Sequence, residues 1–376
     1  MFSLHVDTAR SWRGGQNQVL LTVLGLRAQG HRTALVAHPD GELRRRAAEG
    51  PDLIPIASSG EMGFRAAWQL SRVLKMLRPT VVHAHDAHAV AMVALARSFG
   101  RLDPLPRFVV SRRVDFHIRR NAFSRWKYAQ VDLFLCASNA IRTMLVGDGV
   151  PTERAMTLHE GVDLEHVAAV PRLDVHAELW LPSGAPIVGN VAALVPHKGH
   201  RYLIEAAATV VRQVPDTRFV ILGTGELEAT LRTQITHLHL ERHVLLAGFR
   251  PDALSLQKGF DLFAMSSVTE GLGTVLLDAM AIGQAVVATR AGGIPEVVAH
   301  EQTGVLVPPR DADALAAAIV RLLGDADRRA QLGVAGRERV RASFSVERMV
   351  QATLDAYDRL VDTPLATDTD RPAVAD

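Results

Sequence analysis

Residues 262–283 read LFAMSSVTEGLGTVLLDAMAIG, and they pass through a strand, a glycine turn and a helix. Leu262–Ala264 is a short apolar run suited to a buried strand, Gly271 and Gly273 mark the turn, and helical spacing runs from Thr274 to a stop at Gly283. Such a unit leaves the first amides of the helix unpaired at the strand end. With the helix dipole they form an anion site suited to a diphosphate. Glycine at 271 and 273 lets the backbone approach phosphate without side-chain obstruction. Glu270 precedes the turn, whereas Asp278 lies one turn inside the helix on the side of Thr274 and Val275. An acid at 278 can accept hydrogen bonds from a vicinal diol such as ribose, and Glu270 is free to meet a sugar. A plain helix start whose acids complement the dipole, worth about 0.3–1 kcal/mol, reads equally well from this segment alone.

The same alternation fills the chain on both sides. In the first half the predicted strands are 3–6, 33–37, 53–56, 81–85, 108–111, 133–137 and 156–158, with helical patterns such as 15–29 and 64–77 between them. A second series follows Pro186: 187–191, 218–222, 244–247, 262–264, 285–289 and 305–307. Alternating strands and helices imply an α/β fold of parallel, doubly wound sheets. We expect an N-terminal Rossmann-like domain over 1–162, a Pro/Gly-containing connector over 163–185 and a second Rossmann-like domain over 186–345. A helix over 346–362 should pack back toward the first domain, and 363–376 should be a disordered tail. Two such domains in tandem would face each other across a cleft at the carboxyl ends of their strands.

At 376 residues the chain is too long for one ordinary core. No apolar run approaches the ~20 residues of a membrane span, the N-terminus lacks a signal-peptide layout, and a lone Cys136 excludes an intrachain disulfide. A cytoplasmic protein is expected. The net charge of +2 hides an asymmetry: residues 1–160 hold 22 Lys and Arg against 13 Asp and Glu, and the remainder holds 20 against 27. A basic half suggests an anionic partner.

Further loops carry chemistry. Lys198 follows the strand 187–191 and places a point charge suited to phosphate. Gly223 and Gly225 end the strand of FVILGTGE, a turn that would open an edge for ligand, and AGGIPEV at 291–297 again turns on two glycines after a strand. His83, His85 and His88 have a spacing that invites a metal, but no zinc motif accompanies them, and we expect none to be bound. In SRRVDFHIRRNAFSRWKYAQVD, residues 111–132, Arg112, Arg113, Arg119, Arg120 and Trp126 interleave charge with aromatics, as does 62–78 with Phe64, Trp68, Arg65, Arg72, Lys75 and Arg78. These stretches fit an anionic membrane or a phosphorylated glycan acceptor; solvated basic helices with buried aromatics would look similar. No nucleic-acid recognition module accompanies them.

Taken in order, Lys198-Gly199, the Gly-x-Gly-Glu at 223–226, Glu270-Gly-x-Gly with an acid eight residues on, Gly-Gly-x-Pro-Glu at 292–296 and Thr303-Gly304-x-Leu-Val-Pro308 resemble the glycosyltransferase group 1 family of retaining GT-B enzymes. His5-Val-Asp7, Trp12-Arg-Gly14-Gly15-Gln16, His83-Ala-His85-Asp86 and Gly161-Val-Asp163 match its N-terminal half, so the resemblance covers nearly the whole chain. It implies a metal-independent, retaining hexosyltransferase moving a sugar from a nucleotide-diphosphate sugar to a glycan or lipid-linked acceptor. The implied setting is bacterial cell-envelope polysaccharide or lipopolysaccharide synthesis, in the cytoplasm or on the inner face of the membrane. Glu270 would contact the donor sugar and Asp278 the ribose. Lys198 and the backbone of Leu272, Gly273, Thr274 and Val275 would hold the diphosphate, with Gly14 and Gly15 closing over it and Gly223 and Gly225 nearby. His85 would sit near the anomeric centre, completing a catalytic set with Glu270 and Lys198. Two departures stand out: Asp278 replaces the usual glutamate, and Ala192-Ala193 replaces a Gly-Arg, removing a cation that Arg201, His197 or Arg250 would have to supply. A non-catalytic nucleotide-sugar-binding subunit and a nucleotide-sugar epimerase are the competing readings.

Overall fold

The computed structural model describes residues 1–48, 50, 52–57, 63–99, 102–119 and 121–362; the tail expected at 363–376 lies outside them. The chain forms two compact units, Met1–Glu160 joined by the segment from Val346, and Gly161–Ser345.

The first unit carries β1 (Phe2–Val6), β2 (Arg32–Ala37), β3 (Asp52–Pro55), β4 (Val81–Ala84), β5 (Arg107–Arg112), β6 (Leu133–Cys136) and β7 (Ala155–Thr157). They pair in the order β3-β2-β1-β4-β5-β6-β7, every pair parallel. The second carries β8 (Ile187–Val191), β9 (Arg218–Leu222), β10 (Val244–Leu246), β11 (Leu262–Met265), β12 (Val286–Thr289) and β13 (Val305–Val307). Its order is β10-β9-β8-β11-β12-β13, again all parallel. In each sheet the progression of strand order reverses once, between β1 and β4 and between β8 and β11. Parallel sheets of this kind bind ligands at such switch points, beyond the strands' carboxyl ends.

Each core follows from the pattern. Strands buried on both faces are near-continuous apolar runs, and β4, β6, β11 and β12 are buried at every position. The helix Val346–Asp362 turns Met349, Val350, Leu354 and Tyr357 inward against Leu26, Val81, Val109, Leu133 and Leu135 of the first unit. Burying each of those large side chains is worth about 1.5–3 kcal/mol. The helix lies close because residue 25, on the facing helix Gly14–Ala28, is glycine: a Cβ there would stand 2.3 Å from Val350 Cγ2. Residues 163–185 are more than a connector, since they hold the short helices Leu164–Ala169 and Val175–Glu178, each capped by an aspartate.

Candidate active site

In the second unit β8 and β11 lie side by side, so the loops leaving them converge. Lys198 ends the 3-10 turn Pro196–Lys198, and its Nζ lies 2.5 Å from Glu270 Oε2. Ser267 Oγ donates to the same oxygen at 3.1 Å. Backbone bonds fix both ends of the pair. Ser266 Oγ donates to the Lys198 carbonyl (3.1 Å), Val268 N to the His197 carbonyl (2.8 Å) and Gly293 N to the Glu270 carbonyl (3.1 Å). Two glycines permit this closeness. A Cβ on Gly199 would meet Ser266 O at 2.1 Å, one on Gly292 would meet Glu270 O at 1.8 Å, and both residues have positive φ. Lys198 and Glu270 are thus held on rigid loops, mostly shielded from solvent.

The helix Thr274–Ile282 starts beside this pair and stops at Gly283, which adopts the left-handed conformation. Leu276 N turns back to Gly273 O, but the amides of Leu272, Gly273, Thr274 and Val275 donate to no described group. Asp278 is half-buried and has no hydrogen-bond or ion-pair partner among the described residues. Burial pushes its carboxyl up to about 7, because no cation or donor offsets the lost hydration. Unpaired amides, a lysine and an unpartnered acid together offer what a nucleoside diphosphate needs: anion donors and a diol acceptor.

The turn at Gly223 and Gly225 differs from its expected role. It does not open an edge but closes onto the loop after β8: a Cβ on Gly223 would lie 2.0 Å from Ala192 O, and one on Gly225 2.4 Å from Leu194 O. Gly223 also spends its amide on Gly248 O at 2.8 Å. Loop packing accounts for both glycines. Nor is the cation missing at 193 restored simply. Arg201 is exposed and pairs with Glu205 (3.4 Å), and Arg250 pairs with Asp252 (2.6 Å) and Glu178 (3.8 Å).

In the first unit, strand register assembles a cluster that spacing could not reveal. His5 of β1 pairs with His83 of β4, so alternation places Ser3, His5, His83 and His85 on one face. Ser111 joins them from β5, where His83 is opposite Val109, and Arg113 from the position just after that strand. Arg113 can only donate, so its Nη1 bond of 3.1 Å makes His85 Nδ1 an acceptor. His85 Nε2 then donates to His5 Nδ1 (2.9 Å), and His5 Nε2 donates to Ser3 Oγ (3.0 Å). His83 spends its nitrogens on Tyr357 (2.6 Å) and Ser111 (2.8 Å). Burial, with the Arg113 charge adding to it, lowers His5 to about 3 and holds His83 and His85 well below the ordinary histidine range. All three are neutral at pH 7.

One ring nitrogen from each of His5, His83 and His85 lies within 4.8 Å of the other two, a spacing that could suggest a metal centre. Yet all six ring nitrogens are engaged in the bonds just described, and a cation would sit beside the Arg113 guanidinium. His88, the third member expected from spacing, points elsewhere and is half-exposed beside Asp86. His85 therefore has no nitrogen left for a substrate in this arrangement, which weakens its expected place in the catalytic set.

Next to this cluster, Asp7 accepts from Ala9 N (3.0 Å) and Gln16 Nε2 (3.2 Å), tying the start of the Gly14–Ala28 helix to the end of β1. Its carboxyl is raised to about 6, first by burial and then by the Asp86 charge. Asp86 in turn caps the helix Ala87–Ser98 and holds Thr8 N at 2.6 Å.

The basic, aromatic stretch 111–132 is only partly a surface. Arg112 is buried and donates to the Phe116 carbonyl, and Arg113 is paired with Glu160 at 2.7 Å, so neither is presented to a membrane. Arg120 lies outside the described residues, Arg119 is exposed, and Trp126 stacks on Phe123 at 5.7 Å. The helix Phe64–Leu77 is different. Phe64 (54% exposed), Trp68 (52%) and Met76 (73%) share its open face with Arg65, Arg72 and Lys75, and the Arg72 guanidinium sits 5.1 Å over Trp68. Among the described residues no helix is long and apolar enough to cross a membrane.

Comparison with known proteins agrees with both halves. The model of the glycosyl transferases group 1 family matches residues 172–339, and that of glycosyltransferase family 4 matches 12–166. The GDP-mannose-dependent alpha-(1-6)-phosphatidylinositol monomannoside mannosyltransferase of Mycolicibacterium smegmatis is 32% identical over 310 residues, covering 74% of this chain and 80% of that protein. The lipopolysaccharide core biosynthesis glycosyltransferase LpsE of Rhizobium meliloti is 31% identical over 255 residues, covering 68% of this chain and 69% of that one. Among solved structures, Anabaena HepE in complex with UDP-glucose superposes with a TM-score of 0.83 at 22% identity, over 96% of this chain and 100% of its own. The two parallel sheets, their loops and these relatives lead to one conclusion: the chain belongs to the glycosyl transferases group 1 family and has the GT-B fold.

Proposed function

We propose that this glycosyltransferase is a retaining, metal-independent hexosyltransferase whose donor binds at the N-terminus of the helix Thr274–Ile282. The observation that carries the reading is the convergence there of the Lys198–Glu270 pair, the unpaired amides of 272–275 and the unpartnered Asp278. Those amides and Lys198 take the diphosphate, Asp278 accepts from the ribose diol, and Glu270 meets the sugar hydroxyls. Gly14 and Gly15 begin a second helix whose amides suit the same chemistry, and Gly225 retains a free amide.

In the step we propose, the acceptor hydroxyl attacks C1 on the face the diphosphate leaves. The new C1–O bond forms as the C1–O–phosphate bond breaks, and the hydroxyl proton passes to the departing phosphate oxygen. The protein's work is then electrostatic: stabilise negative charge growing on the diphosphate and positive charge on the ring. The mannosyltransferase and lipopolysaccharide relatives support a lipid-linked or glycan acceptor in cell-envelope synthesis. The helix Phe64–Leu77, with no acidic residue and three exposed apolar side chains, is the face we assign to an anionic inner leaflet.

A thermal-shift screen with UDP-, GDP- and ADP-sugars tests the donor reading, since a ligand of the native state alone raises its melting temperature. The stabilising donor is then assayed for transfer, with the product's anomeric configuration read by NMR. No shift from any of them, or an inverted product, would sink the reading.

A further inference from the structure

Arg113 follows β5 on the face that carries Ser111 and the three histidines. Two bonds fix its plane: Nε donates to Glu160 Oε1 at 2.7 Å, and Nη1 donates to His85 Nδ1 at 3.1 Å. A guanidinium has five N–H groups. The other three, both on Nη2 among them, donate to no described residue, and the side chain keeps 15% of its surface exposed. The group also lies beside the glycine turn, since a Cβ on Gly15 would be 3.8 Å from Arg113 Cδ. It therefore stands at the β1/β4 switch point with donors to spare, whereas His85 behind it has none. Because His5, His83 and His85 are neutral, Arg113 carries the cluster's positive charge.

We infer that Arg113, and not His85, is the substrate-contacting catalytic residue of the first unit, and that its free N–H groups take a phosphoryl oxygen of a bound substrate. Glu160 and His85 are positioning residues: they hold the fork rigid, so little orientation is lost when the anion arrives. Every nucleotide-sugar donor brings a diphosphate, and a phosphorylated acceptor would offer the same oxygen chemistry. The inference rests on the chain being an active transferase, though not on the roles assigned to Lys198, Glu270 or Asp278.

The test uses the full chain as wild type, R113K, R113A and E160Q. Three quantities are measured: donor hydrolysis without acceptor, transfer to acceptor, and affinity for UDP and GDP. R113A should lower kcat about 10²–10³-fold, the usual loss for one charge-stabilising donor. R113K, which keeps the charge but not the fork, should lose about tenfold. If the diphosphate is the partner, the loss appears in hydrolysis and in nucleoside diphosphate affinity. If an acceptor phosphate is the partner, hydrolysis stays intact and the acceptor KM rises for phosphorylated acceptors alone. Side-chain ¹⁵N NMR, of guanidinium and imidazole nitrogens together, gives a readout that a merely structural role would not move: UDP or GDP should shift the Arg113 Nε resonance, while His85 stays protonated at Nε2. Should R113A fail to fold, R113K carries the test. Wild-type kcat and KM in R113K and R113A, at unchanged melting temperature, would overturn the assignment. Were the wild type to turn over no donor, the transferase reading would fail first, and an unmoved Arg113 resonance would then reject the contact separately.

Discussion

Lys198 and Glu270 are 72 residues apart in the chain, yet their charged atoms meet at 2.5 Å across the converging loops of β8 and β11. The two loops are already bonded to each other, so the pair is built into the resting site. In the proposed donor site a diphosphate arriving at Lys198 competes with a carboxylate already there. Replacing Glu270 with Gln removes that competitor while keeping the side chain's shape. We expect E270Q to bind free nucleoside diphosphate several-fold more tightly than wild type by calorimetry, and to turn over more slowly. K198A should instead lose kcat by about 10²-fold with a smaller change in donor KM. A K198A effect confined to KM would remove Lys198 from the transition state.

Asp278 gives a pH dependence with a definite sign. Its carboxyl titrates near 7 in the folded chain, above its ordinary value of 3.8. The folded state thus binds an extra proton between those values, and stability falls as pH rises from about 4 to 7. D278N lacks this loss, so its melting temperature should exceed that of wild type at pH 8 and converge with it near pH 4. Donor binding should run the other way. In the proposed site a ribose diol donates to the ionised acid, so affinity should rise through pH 7 in wild type and stay flat and weak in D278N. Parallel melting curves across the range would show that Asp278 is not the titrating group.

In the proposed site, amides and a lysine take the negative charge that a divalent ion would otherwise neutralise. Transfer should be unchanged in excess EDTA and should not rise with added magnesium or manganese. A chelator-sensitive rate restored by one of these metals would contradict the proposed chemistry.

The exposed face of Phe64–Leu77 predicts a separable membrane phenotype. F64S/W68S removes two apolar side chains that are about half exposed, so the melting temperature should hardly move. Flotation with phosphatidylserine-containing vesicles should fall markedly, while transfer to a soluble acceptor should be unaffected. Equal flotation of wild type and variant would rule out this face.

Much of this was legible in the sequence because it is written locally. Glycines close to apolar runs marked the turn before Thr274, and the helices Phe64–Leu77 and Val346–Asp362 announced themselves by their spacing. Strand ends moved by a residue or two, which periodicity does not resolve. What the sequence hid is non-local. Nothing in HVD or HAHD says that His5 will lie beside His83, because that depends on the register between β1 and β4. Glu160, Ser111 and Tyr357 are single polar residues in unremarkable surroundings, and only folding brings them to the histidines. The Gly223-x-Gly225 pair is ambiguous for the opposite reason. Glycines that accommodate a neighbouring loop and glycines that accommodate a phosphate look the same in one dimension.

The helix Val346–Asp362 bears on how the protein is made. It fills the first unit's core and sends Tyr357 to His83, so that unit lacks a wall until residues 346–362 have left the ribosome. Residues 1–160 must wait, with Val81, Val109 and Leu135 uncovered, while Gly161–Ser345 is made and can fold first. An N-terminal-first order of folding during translation would leave the first unit without this wall, so residues 1–160 are the part that a holdase chaperone would shield.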